Sequence, residues 1–384
     1  MNPGLSLPER RIGEHGQGRP GPLVLVTAAL HGNEPAGVVA AQRVLARLRG
    51  DDVPLSGRLV ALAGNLAALG RGLRFVDRDL NRMWLAEELG KLERRPPSQD
   101  GVEEAELRDV AARIEKEIAA APGPVFLLDL HSTSAGGPPF SIISDTLRNR
   151  RLARALPIPV ILGLEEAIEG SLLDWGGERG LTAIGVEGGR HGDPSTADHL
   201  ESVLWLALVA SEALAPGDVP DLVLHRDRLA ASAAGLPAVV EIFHRHGLAP
   251  GEEFRMEEGL LNFSPVTKGR VVAKGAAGDV RAAATSLLLL PRYQALGDDG
   301  FFLGRRVRPF WLSLSTLLRR AGADALLPLL PGVRPHPSGQ GRLLVDPRVA
   351  RWGVVNVFHL FGFRRRRPEG RALVFHRRLE RPLG

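Results

Sequence analysis

The sequence predicts an α/β fold: a mostly parallel or mixed sheet with helices on both faces, plus a smaller β-rich C-terminal domain. Three observations predict it. Short, continuously apolar runs alternate with longer helical patterns through the first half of the chain, as expected of strands buried on both faces. The segment Ala215–Asp221 (APGDVPD) breaks that rhythm, and short strand candidates split by Gly, Pro and Asp follow it. At 384 residues with 44% apolar content, the chain is long enough for two domains, or one large domain with appendages.

Leu23–Leu30 (LVLVTAAL) reads as the first buried strand, followed by a helix over Ala36–Leu48. Arg58–Ala63 is a second strand, Glu103–Ala120 a charged amphipathic helix, and Pro124–Leu130 (PVFLLDL) a third strand. Phe140–Ser144, Pro159–Leu162 and Leu181–Glu187 complete the strand set, and Leu200–Leu214 closes it with a helix. The segment Arg82–Gly101 lacks a period and reads as a surface excursion. After the break, Ala238–Phe243, Gly269–Ala273, Asp279–Ala283, Ser286–Leu290 and Phe301–Leu303 are short strand candidates. The expected division is a polar segment (1–20), a catalytic domain (21–215), a β-rich domain (222–308) and an extension of unknown role (309–384). That extension shows an amphipathic stretch at Leu312–Leu318, a Pro-rich linker at Leu330–Gly339 and the basic run Arg364–Arg367.

Composition excludes several classes. The chain has no cysteine, so disulfides, thiolate catalysis and Cys-ligated zinc are ruled out, and any metal must sit on His, Asp or Glu. The polar start predicts no secretory signal, and no run of 18 uncharged apolar residues predicts a membrane span. A cytoplasmic protein is expected. The formal charge is +5, with 45 arginines against four lysines, a bias that reads as genomic composition. No nucleic-acid or membrane partner is expected, and a homo-oligomer is compatible with the sequence.

Three strand ends carry candidate chemistry. His31-Gly32-Asn33-Glu34 follows the first strand; alone, this pair reads more simply as a His–Glu hydrogen bond beside a helix start. The third strand ends in Asp129-Leu130-His131-Ser132-Thr133. Ligands of open α/β sheets gather outside the carboxyl ends of the strands, so His131 is expected to meet His31 and Glu34. Two imidazoles and a carboxylate with a position left for water form a catalytic zinc set. Asp129, on the same strand face as His131, either orients that imidazole or is a structural aspartate bonding backbone amides. The strand ending at Glu187 buries a carboxylate, which is expensive unless paired or functional, and fits a general base. Between these points lies Arg74-Phe75-Val76-Asp77-Arg78-Asp79-Leu80-Asn81-Arg82. Asn81 and Arg82 suit a substrate carboxylate, Arg74 a scissile carbonyl, and Asp79 the fixing of a guanidinium; the alternative is a solvated charged loop.

Together these motifs resemble the succinylglutamate desuccinylase/aspartoacylase family, relatives of the zinc carboxypeptidases. The resemblance rests on HGNE at His31–Glu34, RFVDRDLNR at Arg74–Arg82, DLHST at Asp129–Thr133 and the VEGG containing Glu187. It continues through Asn262–Val266 and Pro291–Gln294, covering roughly residues 20–308. It implies one Zn2+ per chain on His31, Glu34 and His131, with Glu187 as base and acid. It also implies Arg74 steadying the oxyanion, and Asn81 with Arg82 holding the substrate's carboxylate. The implied activity is deacylation of a small N-acyl amino acid or related acylated amine. The family's further arginine for an acyl carboxylate has only Arg179, ahead of Glu187, and Arg190, behind it, as candidates. Tyr293, the only tyrosine, either lines the site or is a buried hinge residue.

Two other readings stand beside this one: a metallocarboxypeptidase acting on peptide C-termini, and a non-catalytic family member. His244 and His246 share a strand face and read as packing or surface residues. His191 and Asp193 follow Glu187 closely enough to rim the site.

Overall fold

The computed structural model describes residues 8–380 except 250, 295, 340, 347, 350–353, 370, 371 and 379. An 11-stranded mixed sheet forms its centre. Eight strands come first: β1 (Arg11–His15), β2 (Leu23–Ala28), β3 (Arg58–Ala63), β4 (Val125–Thr133), β5 (Phe140–Ile143), β6 (Val160–Leu162), β7 (Thr182–Arg190) and β8 (Val239–Gly247). Their order across the sheet is β1-β3-β2-β4-β7-β5-β6-β8, continued by Asp299–Arg306, Ser286–Leu289 and Ser264–Val266. β3, β2, β4 and β7 run parallel. β1 joins antiparallel to β3, and β5 antiparallel to β7.

The apolar runs are continuous because both faces of these strands are covered. Val24, Val26, Ala28, Leu128 and Leu130 pack on one face, against the helices Ala36–Gly50 and Pro194–Ala210. Leu23, Leu25 and Leu127 face the other layer, with Leu107, Val110 and Ile114 of the helix Val102–Ala119. Alternation along each strand therefore splits one apolar run between two core clusters. The long helix of the first layer starts cleanly because Pro194 occupies its first turn and the Asp193 side chain accepts the Ser195 amide at 2.9 Å.

The stretch 222–308 contributes four strands to the main sheet and the strands Phe254–Met256, Val271–Gly275 and Gly278–Arg281 to a separate three-stranded one. Beyond it lie the helix Pro309–Arg320 and a four-stranded antiparallel sheet built from Val333–Pro335, Arg342–Val345, Ala372–Arg377 and Phe363–Glu369. The backbone of Arg364–Arg367 thus lies in a strand; the side chains of that run fall outside the described residues.

Candidate active site

β2 ends beside Leu130 of β4; the loop after β2 carries His31 and Glu34, while β4 runs on to Thr133 and carries His131 itself. Ala29, just past β2, adopts φ 55°, a left-handed conformation that costs a non-glycine residue energy and is held by the surrounding fold. It turns the chain toward His31. Gly32 lies so close to the next layer that a Cβ there would sit 2.1 Å from the Ala68 carbonyl carbon. Only glycine fits at position 32.

His31, Glu34 and His131 are all buried, and one donor atom from each lies within 4.8 Å of the others. Among the described residues no other such group of three occurs. Both imidazoles turn Nδ1 to the Glu34 carboxylate, His31 at 2.9 Å from Oε1 and His131 at 2.9 Å from Oε2. Each places its other nitrogen on an aspartate. His131 Nε2 is 2.7 Å from Asp129 and His31 Nε2 is 3.1 Å from Asp79. Carboxylates placed behind imidazoles in this way fix ring orientation and leave the opposite nitrogen for a metal. Asp129 also accepts the Thr27 hydroxyl at 2.7 Å, so it holds a side-chain chain across β2 and β4.

The charges of this cluster are strongly interdependent. Burial would raise the Glu34 carboxyl, yet His31 and His131 hold it well below the usual range. Burial would lower the His131 imidazole, but Asp129 and Glu34 hold it well above the ordinary value. Burial also opposes ionisation of Asp79, and His31 with Arg74 outweighs it, so this pKa too is well lowered.

Glu187 sits on β7 directly opposite His131 of β4. It is 9% exposed, and its Oε2 has no hydrogen-bond partner among the described residues. Burial, reinforced by the nearby Glu34 charge, raises its pKa from 4.5 to about 7, the range suited to moving protons near neutrality. Gly188 follows where a Cβ would lie 2.5 Å from Leu200 Cγ; the glycines after Glu187 let the helix Pro194–Ala210 approach the strand end.

The arginine loop is pinned from below by Glu103, whose carboxylate accepts the amides of Val76, Asp77 and Arg78 at 2.6, 2.9 and 3.2 Å. Arg74 donates to Asp79 at 2.9 and 3.2 Å and lies 3.7 Å from Glu34. Arg82 pairs with Asp299 at 3.0 Å, and Asn81 Oδ1 accepts the Leu172 amide at 2.9 Å. All three line one cavity with His31, Glu34, His131 and Glu187. The same cavity is also lined by the apolar side chains of Ile142, Leu164, Ile168, Leu173, Leu290 and Phe302.

Other candidates separate clearly. Arg179 stacks on Trp175 at 4.0 Å and pairs with Glu115, while Arg190 is exposed; neither lines the cavity. Tyr293 turns its hydroxyl to the Glu257 and Leu260 carbonyls, at 2.6 and 3.0 Å, and is 39% exposed. The site is instead reached by its neighbours Arg292 and Gln294. His246 stacks on Phe301 with ring centroids 4.9 Å apart, a packing role. His191 does rim the cavity, with Nδ1 2.8 Å from Ser132 Oγ; Asp193 caps a helix.

The sequence reading missed Asp79 as a partner of His31, gave Arg292 no role beyond its place in the matching Pro291–Gln294 stretch, and missed Asp299 entirely. Asp79 had a signal, since it lies two residues before Asn81. Asp299 and Arg292 belong to a segment more than 200 residues from Arg82, and only the sheet topology brings them near.

Comparison with known proteins follows the same lines. Residues 20–195 match the family model described as the succinylglutamate desuccinylase/aspartoacylase catalytic domain. No curated protein sequence matches the chain. Among solved structures, the chain is similar to a succinylglutamate desuccinylase from Vibrio cholerae (17% identity, TM-score 0.51, 75% of this chain and 82% of that one). It is also similar to a succinylglutamate desuccinylase/aspartoacylase from Rhodobacter sphaeroides (16%, 0.55, 76% and 87%). A third is the ectoine utilization protein EutE (DoeB) from Ruegeria pomeroyi (20%, 0.52, 75% and 86%). At these identities the likeness concerns the fold.

Proposed function

We propose that the chain, whose residues 20–195 match the succinylglutamate desuccinylase/aspartoacylase catalytic-domain model, is a zinc-dependent deacylase that hydrolyses the amide bond of a small N-acyl amino acid or related acylated amine. One observation carries this reading: a buried His31–Glu34–His131 donor set shares its cavity with Glu187, whose carboxylate has an unpartnered oxygen. The set suits Zn2+, one per chain, because it offers two imidazole nitrogens and a carboxylate, with carboxylates behind both rings. When bound, zinc would supply a Lewis acid for the carbonyl and lower the pKa of a water.

The chain's own groups do the rest. Glu187, raised to about 7, takes the proton of the attacking water and returns it to the departing amine nitrogen. Arg74, held by Asp79, faces the charge that develops on the carbonyl oxygen. Asn81 and Arg82 grip the substrate carboxylate, Arg82 from a guanidinium already oriented by Asp299. Asp129 acts through His131, fixing its ring.

A panel of N-acyl amino acids assayed beside short peptides, with zinc quantified, tests the proposal. Deacylation by protein carrying one zinc per chain is the expected result. Peptide cleavage without deacylation would overturn it in favour of a carboxypeptidase, and purified protein with no metal would favour a non-catalytic role. Arg292 is the third arginine lining the cavity. If it reads an acyl carboxylate, Arg292→Ala raises KM for succinyl derivatives and leaves acetyl derivatives unchanged; equal effects on both exclude that role.

A further inference from the structure

The helix Pro309–Arg320 packs Leu312 against the main core, yet its fully buried residues are polar and its largest apolar ones are exposed. It buries Ser315 and Arg319, whose side chains bond the Leu360 carbonyl at 2.6 and 3.1 Å, and Arg319 also reaches Asp145. Its opposite side shows Phe310, Trp311 and Leu317 to solvent, Phe310 at 65% exposure. Phe310, Leu314 and Leu317 follow the i, i+4, i+7 spacing of one helix face. The apolar display continues in the next segment, Ala323–Leu329, where Leu326 and Leu329 are exposed, Leu329 at 78%, with Leu330 beside them. Soluble proteins scatter single exposed apolar residues, but a concentration of this kind marks an interaction surface.

Charge identifies the partner. Residues 309–384 hold fourteen arginines and no lysine against two aspartates and two glutamates, a formal +10, so the preceding 308 residues carry −5 of the total +5. Arg306, Arg308, Arg320 and Arg334 are exposed around the apolar segments and have no acidic partner among the described residues. A second copy of this chain is disfavoured on that face, since a symmetric contact would set two +10 extensions against each other. Nucleic acid would satisfy the arginines and leave the leucines unexplained. A bilayer with anionic headgroups satisfies both: leucine and phenylalanine enter the acyl boundary, tryptophan sits at the interface, and arginines reach the headgroups.

We propose that this helix and the segment after it dock this protein on a membrane surface rich in anionic lipid. The sequence analysis expected no membrane partner, and among the described residues no helix is long and apolar enough to cross one. Surface docking needs no span.

The test is sedimentation of the full chain with vesicles of phosphatidylglycerol and phosphatidylcholine, compared with phosphatidylcholine alone. It does not depend on the proposed activity. Binding to the anionic vesicles only is expected, weakened at least about tenfold in a Phe310→Ser/Trp311→Ser/Leu317→Ser variant. Weakening is also expected in Arg308→Glu/Arg320→Glu. All five positions are exposed, and an unchanged thermal midpoint checks that both variants remain folded. No sedimentation with anionic vesicles, or equal sedimentation of the apolar variant, overturns the proposal. So does a parent dimer that this variant dissociates, which makes the face a subunit contact. Duplex-DNA binding abolished by the same apolar substitutions overturns it as well.

Discussion

Each imidazole that would bind the metal is backed by a carboxylate, Asp79 behind His31 and Asp129 behind His131, and this has a consequence for binding. With Asp129 and Glu34 raising the His131 imidazole well above 6.5, the metal-free ring keeps its proton at neutral pH. Zinc must displace that proton, so binding is expected to release protons and tighten as pH rises. Calorimetry in buffers of different ionisation enthalpy measures the release; buffer-independent heats would contradict it. His131→Ala is expected to lose zinc outright. Glu187 carries a cost of the opposite kind. Its folded pKa of about 7 lies above the ordinary 4.5, so between those values the folded state binds more protons than the unfolded one. Stability from this group is therefore greatest below 4.5 and falls as pH rises to 7. In the metal-free protein, Glu187→Gln is expected to be more stable than the parent above pH 7 and to match it below 4.5; the zinc-loaded variant is expected to retain its metal without turnover. Denaturant melts at several pH values, with elemental analysis, check all three; full turnover in the variant would remove Glu187 from the mechanism.

At the scale of elements, the site depends on strand ends and one loop. The strand ends were legible in the sequence because continuous apolar runs stop where the chemistry begins, at Leu30, Leu130 and Val186. Polar residues after such runs gather toward the carboxyl edge of the parallel strands: His31 lies on the loop past β2, while His131 and Glu187 are still within β4 and β7, which extend to Thr133 and Arg190, and all three line one cavity. Other elements gave no comparable signal. β1 (RIGEH) has a single apolar side chain and is specified by its antiparallel pairing with β3 and by the buried Arg10, which bonds the Ala63 carbonyl at 2.7 Å. The arginine loop gave residue types but no shape, because its conformation is imposed by Glu103, more than 20 residues downstream. Glu103→Ala strands three loop amides. Burying unsatisfied donors costs about 1–3 kcal/mol each where water cannot replace the acceptor, so the variant is expected to lose stability and raise KM with zinc content unchanged. Unaltered KM would mean that the loop keeps its shape without Glu103.

For the whole molecule, the question is whether the C-terminal extension folds with the catalytic domain or merely hangs from it. Asp145, at the end of β5, is fully buried and accepts Arg150 at 2.5 and 3.0 Å from its own domain and Arg319 at 2.9 Å from the extension. Arg319 Nη1 also donates to the Asp145 carbonyl at 2.9 Å. A second link joins His359 to Glu241 of β8 at 2.9 Å. Ser144, next to Asp145, lines the candidate-site cavity, so the residue that anchors the extension adjoins that cavity. Removing one member of a buried charge cluster leaves the others uncompensated and costs about 3–5 kcal/mol. Arg319→Ala is accordingly expected to lower the stability of the catalytic domain by that order, not only of the extension. Calorimetric unfolding of the parent should show a single cooperative transition that shifts as one in the variant. Two transitions, with only one moved by Arg319→Ala, would show that the extension unfolds independently and that the Arg319–Asp145 contact does not couple it to the sheet.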